Sequence, residues 1–143
     1  MKKITKSIDT VNDNMSEYRL PPIPKTSHPE VKDFTYKYFK RIADKAPFTL
    51  NEWAEILHLS ERTLHRYAKD NNAFHGLQIE LILLTEKLID MGNALFGREG
   101  LKNWVHSPVF SLGNRKPIDH MQSYAGIQEV IQLIGRLQYG ISA

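Results

Sequence analysis

Residues 50–69 read LNEWAEILHLSERTLHRYAK, and the spacing within them decides the fold. Trp53, Ala54 and Leu57 share one face of a first helix, Leu64 and Tyr67 share one face of a second, and Leu59 falls between. Ser60 is a favoured helix N-cap placed directly before the second run, so His58-Leu59-Ser60 reads as a tight turn. The small Ala54 sits where two steeply crossed helices must approach closely, and Leu59 plugs the corner. This is the pattern of a helix-turn-helix, a unit that sets its second helix in a DNA major groove while the first crosses the phosphate backbone. Ser60, Arg62, Thr63, His65, Arg66 and Lys69 are then the candidate DNA-binding residues, with Glu61 on the same outward side. The same spacing also suits two helices of an all-α core that never meets DNA. One residue departs from the pattern: the turn holds His58 where Gly is usual. A left-handed backbone is expected there, which His tolerates better than most side chains.

A chain of 143 residues makes one compact domain or two small ones. Folding such a chain buries roughly two-thirds of its unfolded surface. Hydrophobic content of 41% and charged content of 24% are ordinary for a soluble protein. The absence of cysteine excludes disulfides, thiolate-held zinc and a Cys nucleophile. No apolar run approaches membrane-spanning length, and MKKITKSIDT at the start lacks the apolar core of a signal peptide. A cytoplasmic protein with no membrane partner is expected.

Catalysis finds no support. The six histidines (His28, His58, His65, His75, His106, His120) form no HExxH and no ligand pair at helical spacing. His106 and Asp119 with Ser107 or Ser111 make a conceivable triad, but no nucleophile elbow accompanies them. Gly97, Gly100 and Gly113 do not form a phosphate loop. No catalytic residue, metal site or cofactor is expected, and Trp53 and Trp104 read as core anchors.

Charge is uneven along the chain. Residues 1–46 hold ten basic and six acidic side chains, and residues 47–143 hold nine basic and ten acidic. The basic excess flanks the helix-turn-helix on its N-terminal side, where it supplies either phosphate contacts or merely a solvated Lys-rich face.

In chain order, residues 1–29 are polar and then proline-rich (Pro21, Pro22, Pro24, Pro29), the composition of an arm or linker. A helix is expected over Glu30–Ala46, with Val31, Phe34, Tyr38, Ile42 and Lys45 near one stripe, Phe39 beside it, and Pro47 as the stop. The helix-turn-helix completes a DNA-binding domain over residues 30–75. A second helical domain covers residues 76–143. Its long helix, Gly76 to Phe96, carries Leu77, Leu81, Leu84, Leu88, Met91 and Leu95 at spacings of three and four, and Gly97 ends it. A short helix, Glu99–Val105, precedes an irregular connector, Ser107–Lys116. Pro117 opens another short helix through Met121. The last helix runs from about Tyr124 to Tyr139 with Ile127, Val130, Ile131, Ile134 and Leu137 as its stripe, and Gly140 caps it. No strand is convincing and no internal repeat exists. The fold class is all-α.

The second domain also carries an ordered set of residues: Phe96-Gly97, Trp104, Ser107-Pro108, the run Ser111-Leu112-Gly113-Asn114-Arg115-Lys116-Pro117-Ile118-Asp119, Gly126, and the ending Leu133-Ile134-Gly135-Arg136-Leu137-Gln138-Tyr139-Gly140-Ile141. With this set, residues 95–143 resemble the toxin-binding module of the MbcA/ParS/Xre antitoxin family, the antitoxin half of RES–Xre type II toxin–antitoxin pairs. Members of that family share a Phe-Gly, a Trp, a Leu-Gly-Gly-x-x-Pro connector and a final helix ending in Arg, an aromatic or His, and Gly. The match covers about a third of the chain, and with an Xre-like helix-turn-helix before it extends from about residue 48 onward. Two positions depart from the pattern. Asn114 replaces a common second Gly, and Lys116 stands where Ser or Thr would cap the next helix, a loss of about 1 kcal/mol. Residues 1–46 carry no such resemblance.

The resemblance implies two activities. A homodimer, or a higher hetero-oligomer with the toxin, binds the operator DNA of its own operon and represses it. The C-terminal module holds a RES-domain toxin, an NAD-consuming enzyme, and blocks its active site. Family members place the last helix and tail at the entrance of that site. The implied toxin-binding residues are therefore Arg136, Tyr139, Gly140, Ile141, Ser142 and Ala143. Read without the resemblance, Arg136 complements a helix dipole and Tyr139 is a core edge. The alternative function is a stand-alone repressor whose C-terminal domain dimerises or binds a small ligand.

Overall fold

The computed structural model describes residues 34–140. The expected arm over residues 1–29, the first turn of the Glu30–Ala46 helix and the tail Ile141-Ser142-Ala143 lie outside the described residues. Within them the chain forms α1 (Tyr36–Ala43), α2 (Leu50–Leu57), α3 (Glu61–Asp70), α4 (Gly76–Val105), a 3-10 turn (Phe110–Leu112), α5 (Pro117–His120) and α6 (Tyr124–Gln138). Among the described residues there is no strand, only two isolated antiparallel bridges, Thr35 with Ala73 and Val109 with Arg115. The all-α architecture, with a helix-turn-helix followed by a small helical domain, is as the hydrophobic spacing predicts.

The first bridge explains why α1 begins at Tyr36. The amide of Phe74 donates to the Phe34 carbonyl at 2.9 Å, and the amide of Tyr36 donates to the Asn72 carbonyl at 2.9 Å. Phe34 and Thr35 are thus held against the segment entering α4, and Thr35 (φ −87°, ψ 172°) is the N-cap. The pairing also buries Phe34 and Phe74 with Phe39, Trp53 and Tyr67. Ring centroids of Phe39 and Trp53 lie 5.0 Å apart, those of Phe39 and Phe74 5.3 Å, and those of Tyr67 and Phe74 5.1 Å. Each buried ring of this kind contributes roughly 1.5–3 kcal/mol by leaving water. The cluster draws on α1, α2, α3 and the approach to α4, so the first three helices pack as a unit.

Two residues of the expected stripes face elsewhere. Lys45 does not lie on the apolar face of α1. The helix has already ended at Ala43, so the helical period no longer carries position 45 inward, and Ala46 is buried instead. Lys45 Nζ reaches α4 and donates to Glu86 Oε2 at 2.8 Å and Asp90 Oδ1 at 3.1 Å. Leu77 is 66% exposed because it stands in the first turn of α4, before Leu81 brings the stripe over the core.

Helix α4 joins everything. Leu81, Ile82, Leu88 and Ile89 are buried in its first segment, and Leu101 and Val105 in its second. Gly97 interrupts it with φ 74° and ψ 169°, backbone that L side chains rarely adopt, so the expected stop is a kink with helix resuming at once. Around this kink α4 satisfies the carbonyls left open beyond α1: Asn93 Nδ2 donates to the Lys45 carbonyl at 3.1 Å, and Arg98 Nη1 to the Asp44 carbonyl at 2.9 Å. The opposite side of α4 packs on α6 through Ile127, Val130, Ile131 and Ile134, with Leu133 buried too.

Candidate nucleic-acid interface and C-terminal surface

The turn between α2 and α3 has the geometry its sequence demands. His58 is left-handed, with φ 55° and ψ 39°. Ser60 caps α3: its Oγ accepts from the Thr63 amide at 3.0 Å and lies 2.9 Å from Thr63 Oγ1. Ser60 and Thr63 therefore spend their hydroxyls on fixing the start of α3. Beyond them, Arg62, His65, Arg66 and Lys69 are exposed, and together with Thr63 they line one shallow concavity along the helix. Among the described residues, Arg62, Arg66 and Lys69 form no ion pair within 4.0 Å. Their cationic ends are presented to solvent on one face of a capped helix, as DNA binding requires.

The acidic residues of the same unit are not equivalent. Glu61 and Glu55 are exposed. Glu52 is committed: its Oε1 accepts from the Thr49 amide at 3.0 Å, completing a capping box at the start of α2. Its Oε2 lies 2.7 Å from His106 Nε2, at the end of α4, and His106 Nδ1 lies 2.6 Å from the Lys102 carbonyl. No sequence rule singles out His106, because its partner is 54 residues away. Its ring ties the helix-turn-helix to the C-terminal half.

The connector between α4 and α5 is a tightly bonded turn. The amide of Val109 donates to the Arg115 carbonyl at 3.1 Å, and the Val109 carbonyl accepts from Leu112 at 3.0 Å and Asn114 at 3.1 Å. Gly113 (φ 68°) and Asn114 (φ 60°) are both left-handed, so Asn114 adopts the conformation that a second Gly serves in the pattern. Lys116 makes no side-chain cap, and Pro117 fills the first turn of α5. The turn pushes Phe110 outward, 83% exposed, a surface ring that periodicity in an irregular segment has no means to flag. Beside it, Ser111 and Leu112 share a small concavity with Glu129, Gln132, Leu133 and Arg136 of α6.

Helix α6 ends on the candidate contact residues. Arg136 is exposed, and Tyr139, at the C-cap, is 85% exposed, so it is no core edge. Gly140 follows with φ 73°, which terminates the helix. Ile141, Ser142 and Ala143 lie outside the described residues. The cationic face of α3 and the Arg136–Tyr139 turn thus belong to different elements, joined through α4.

Comparison with known proteins matches two stretches of the chain to two families. Residues 34–84 match the family described as the antitoxin Xre-like helix-turn-helix domain. Residues 91–140 match the antitoxin Xre/MbcA/ParS C-terminal toxin-binding domain. Among curated relatives, the chain is 32% identical over 93 residues to "Antitoxin Xre" of Yersinia enterocolitica serotype O:8 / biotype 1B, an alignment taking in 62% of this chain and spanning 63% of that relative's length. Among solved structures it resembles a chain of the M. tuberculosis MbcT–MbcA toxin–antitoxin complex, with a TM-score of 0.62 over 76% of this chain and 96% of that one. At 20% identity that likeness speaks for the fold. With both domain families present in this order on one chain, the protein belongs to the Xre/MbcA/ParS antitoxin family.

Proposed function

We propose that this protein is the antitoxin of a type II toxin–antitoxin pair: it neutralises a RES-domain, NAD-consuming toxin and represses its own operon from the cytoplasm. The observation that carries this reading is the pairing, on one chain, of a solvent-presented cationic recognition face with a C-terminal domain of the toxin-binding family. Operator binding is assigned to α3, with Arg62, His65, Arg66 and Lys69 reaching bases and phosphates and Ser60 and Thr63 holding the helix start. Neutralisation is assigned to Arg136, Tyr139, Gly140 and the tail Ile141-Ser142-Ala143. Arg136 offers a charge-assisted, bidentate donor, and Tyr139 offers a large exposed ring suited to a desolvated pocket. The chain itself performs no chemistry in this scheme. It acts by occupying the toxin's entrance, as a dimer or in a larger complex with the toxin.

Two separable losses test the proposal. Arg62→Ala or Arg66→Ala weakens binding to the protein's own promoter and leaves protection against the co-expressed RES toxin intact. Tyr139→Ala, or removal of residues 140–143, does the reverse. Equal promoter affinity for both arginine variants would remove α3 from operator reading, and full protection by the truncated chain would remove the tail from neutralisation.

A further inference from the structure

The concavity between the two halves is lined by Pro47, Thr49 and Glu52 from the start of α2 and by Lys102, Asn103, His106 and Ser107 from the end of α4. A helix-turn-helix lays its first helix across the phosphate backbone, so side chains flanking α2 stand where phosphates pass. Thr49 and Glu52 are bound to each other in the capping box and make no free donor for a phosphate. Lys102 and Asn103 are exposed beside them and belong to the half otherwise assigned to the toxin.

Glu52, the carboxylate lining this concavity, is engaged, while Glu99, exposed one turn earlier on α4, lines the adjoining concavity with Lys102. Glu52 has a side chain only 15% exposed and is held on both oxygens, by the Thr49 amide and by His106. The end of α4 directs carbonyls towards the same region, and two of them are covered by side chains. The Lys102 carbonyl lies 2.6 Å from His106 Nδ1, and the Asn103 carbonyl accepts from Ser107 Oγ at 2.7 Å. Lys102 Nζ has no ion-pair partner among the described residues. What remains available at the rim is one free ammonium and one amide.

We infer that Lys102, assisted by Asn103, contacts the DNA backbone beside the start of α2, so that the C-terminal domain forms part of the operator interface. This rests on the operator-binding reading above and extends it to a surface outside the helix-turn-helix. Its energetic character differs from that of α3. A lysine on a phosphate reads no base, so it strengthens specific and non-specific binding alike.

The test is a salt titration of duplex binding by the full chain, with Lys102→Ala beside wild type, Arg66→Ala and Lys87→Ala, the last an exposed lysine elsewhere on α4. Losing one phosphate contact lowers the slope of log affinity against log salt by about 0.9, so the wild-type advantage over Lys102→Ala shrinks about 3.5-fold between 50 and 200 mM salt. The loss is the same on operator and scrambled duplexes, and Lys87→Ala retains the wild-type slope. Lys102→Glu deepens the loss, and circular dichroism confirms that each variant is folded. If wild type and Lys102→Ala share one slope and affinity while Arg66→Ala is weakened, this inference is overturned and the operator reading stands. If wild type binds no duplex at any salt, both fall.

Discussion

Gly126 sits in the first turn of α6, where an ideal Cβ would lie 1.9 Å from the His120 carbonyl oxygen and 3.0 Å from Ser123 Oγ. Carbon and oxygen in favourable contact are about 3.3 Å apart or more, so Gly126→Ala requires a separation of more than 1 Å between α6 and the end of α5. The obstructing atom is backbone and has no rotamer by which to withdraw. Alanine brings an opposing gain, at most about 1 kcal/mol of helix propensity and less in a first turn. Overpacking typically costs about 1–3 kcal/mol, and a rigid backbone obstacle falls at the upper end. The net expectation is a loss of about 2 kcal/mol. Gly135, on the same helix, is the control: its Cβ would meet only Met91 Cε, at 4.0 Å. There propensity wins, and Gly135→Ala gains about 0.5–1 kcal/mol. Urea unfolding followed by circular dichroism reads both. With m near 2 kcal/mol/M, the Gly126→Ala midpoint falls by about 1 M and the Gly135→Ala midpoint rises by about 0.3–0.5 M. A Gly126→Ala midpoint at or above wild type, or equal falls for both variants, would refute the steric reasoning.

Two further substitutions probe the core and its edge. Thr85 is fully buried on α4, and its Oγ1 has no hydrogen-bond partner among the described residues, so Thr85→Val removes an uncompensated hydroxyl at nearly constant shape and raises stability by about 1 kcal/mol in the same assay. Lys45→Met lowers stability at neutral pH by under about 1 kcal/mol, the side chain being 43% exposed and screened. The hydrogen bond to Glu86, with that to Asp90 and both their charges, raises the Lys45 ammonium above its ordinary 10.5, while partial burial works against this. A folded-state value raised above the unfolded one gives a contribution fully present below 10.5 and lost as pH climbs through the folded value. The deficit of Lys45→Met is therefore constant from pH 6 to about 9 and closes in the alkaline range; a deficit that widened there would contradict the ion-pair assignment.

Much of this fold is legible in the chain because local rules and packing agree. Ser60 before a polar-faced helix, Pro117 at a first turn and Gly140 at a helix end act within one turn of themselves, and the structure uses each as its chemistry dictates, while Gly97, expected as a stop, only kinks α4. Even His58, an anomaly in the sequence, takes the left-handed conformation the turn requires. The readings fail where a distant partner decides. Lys45 fits a helical stripe until Glu86 and Asp90, more than 40 residues away, draw it to another helix. The start of α1 is set by strand-like pairing with residues 72–74, a contact no period encodes. Phe110 is exposed because Gly113 and Asn114 reverse the chain beneath it, and irregular turns carry no repeat from which exposure can be read.

The same distinction sharpens the electrostatics of the candidate DNA face. Counted along residues 50–69, Arg62, Arg66 and Lys69 are balanced by Glu52, Glu55 and Glu61, which argues for help from elsewhere. A count weights all six charges equally; the folded chain does not. Glu52 is turned into the junction with its carboxylate held by Thr49 and His106, whereas the three cations stand exposed. Of the six, the exposed charges are therefore three cations against Glu55 and Glu61, and Lys102 on the neighbouring domain adds a further cation. Exposed Lys37, Lys40 and Arg41 on α1 add basic surface of their own, and the Lys37 amide donates to Asn71 Oδ1 at the end of α3 at 3.0 Å. With charge drawn from α1, α3 and α4, affinity depends on how these helices are held together. A substitution that loosens the Glu52–His106 junction would then weaken duplex binding without removing any cationic side chain.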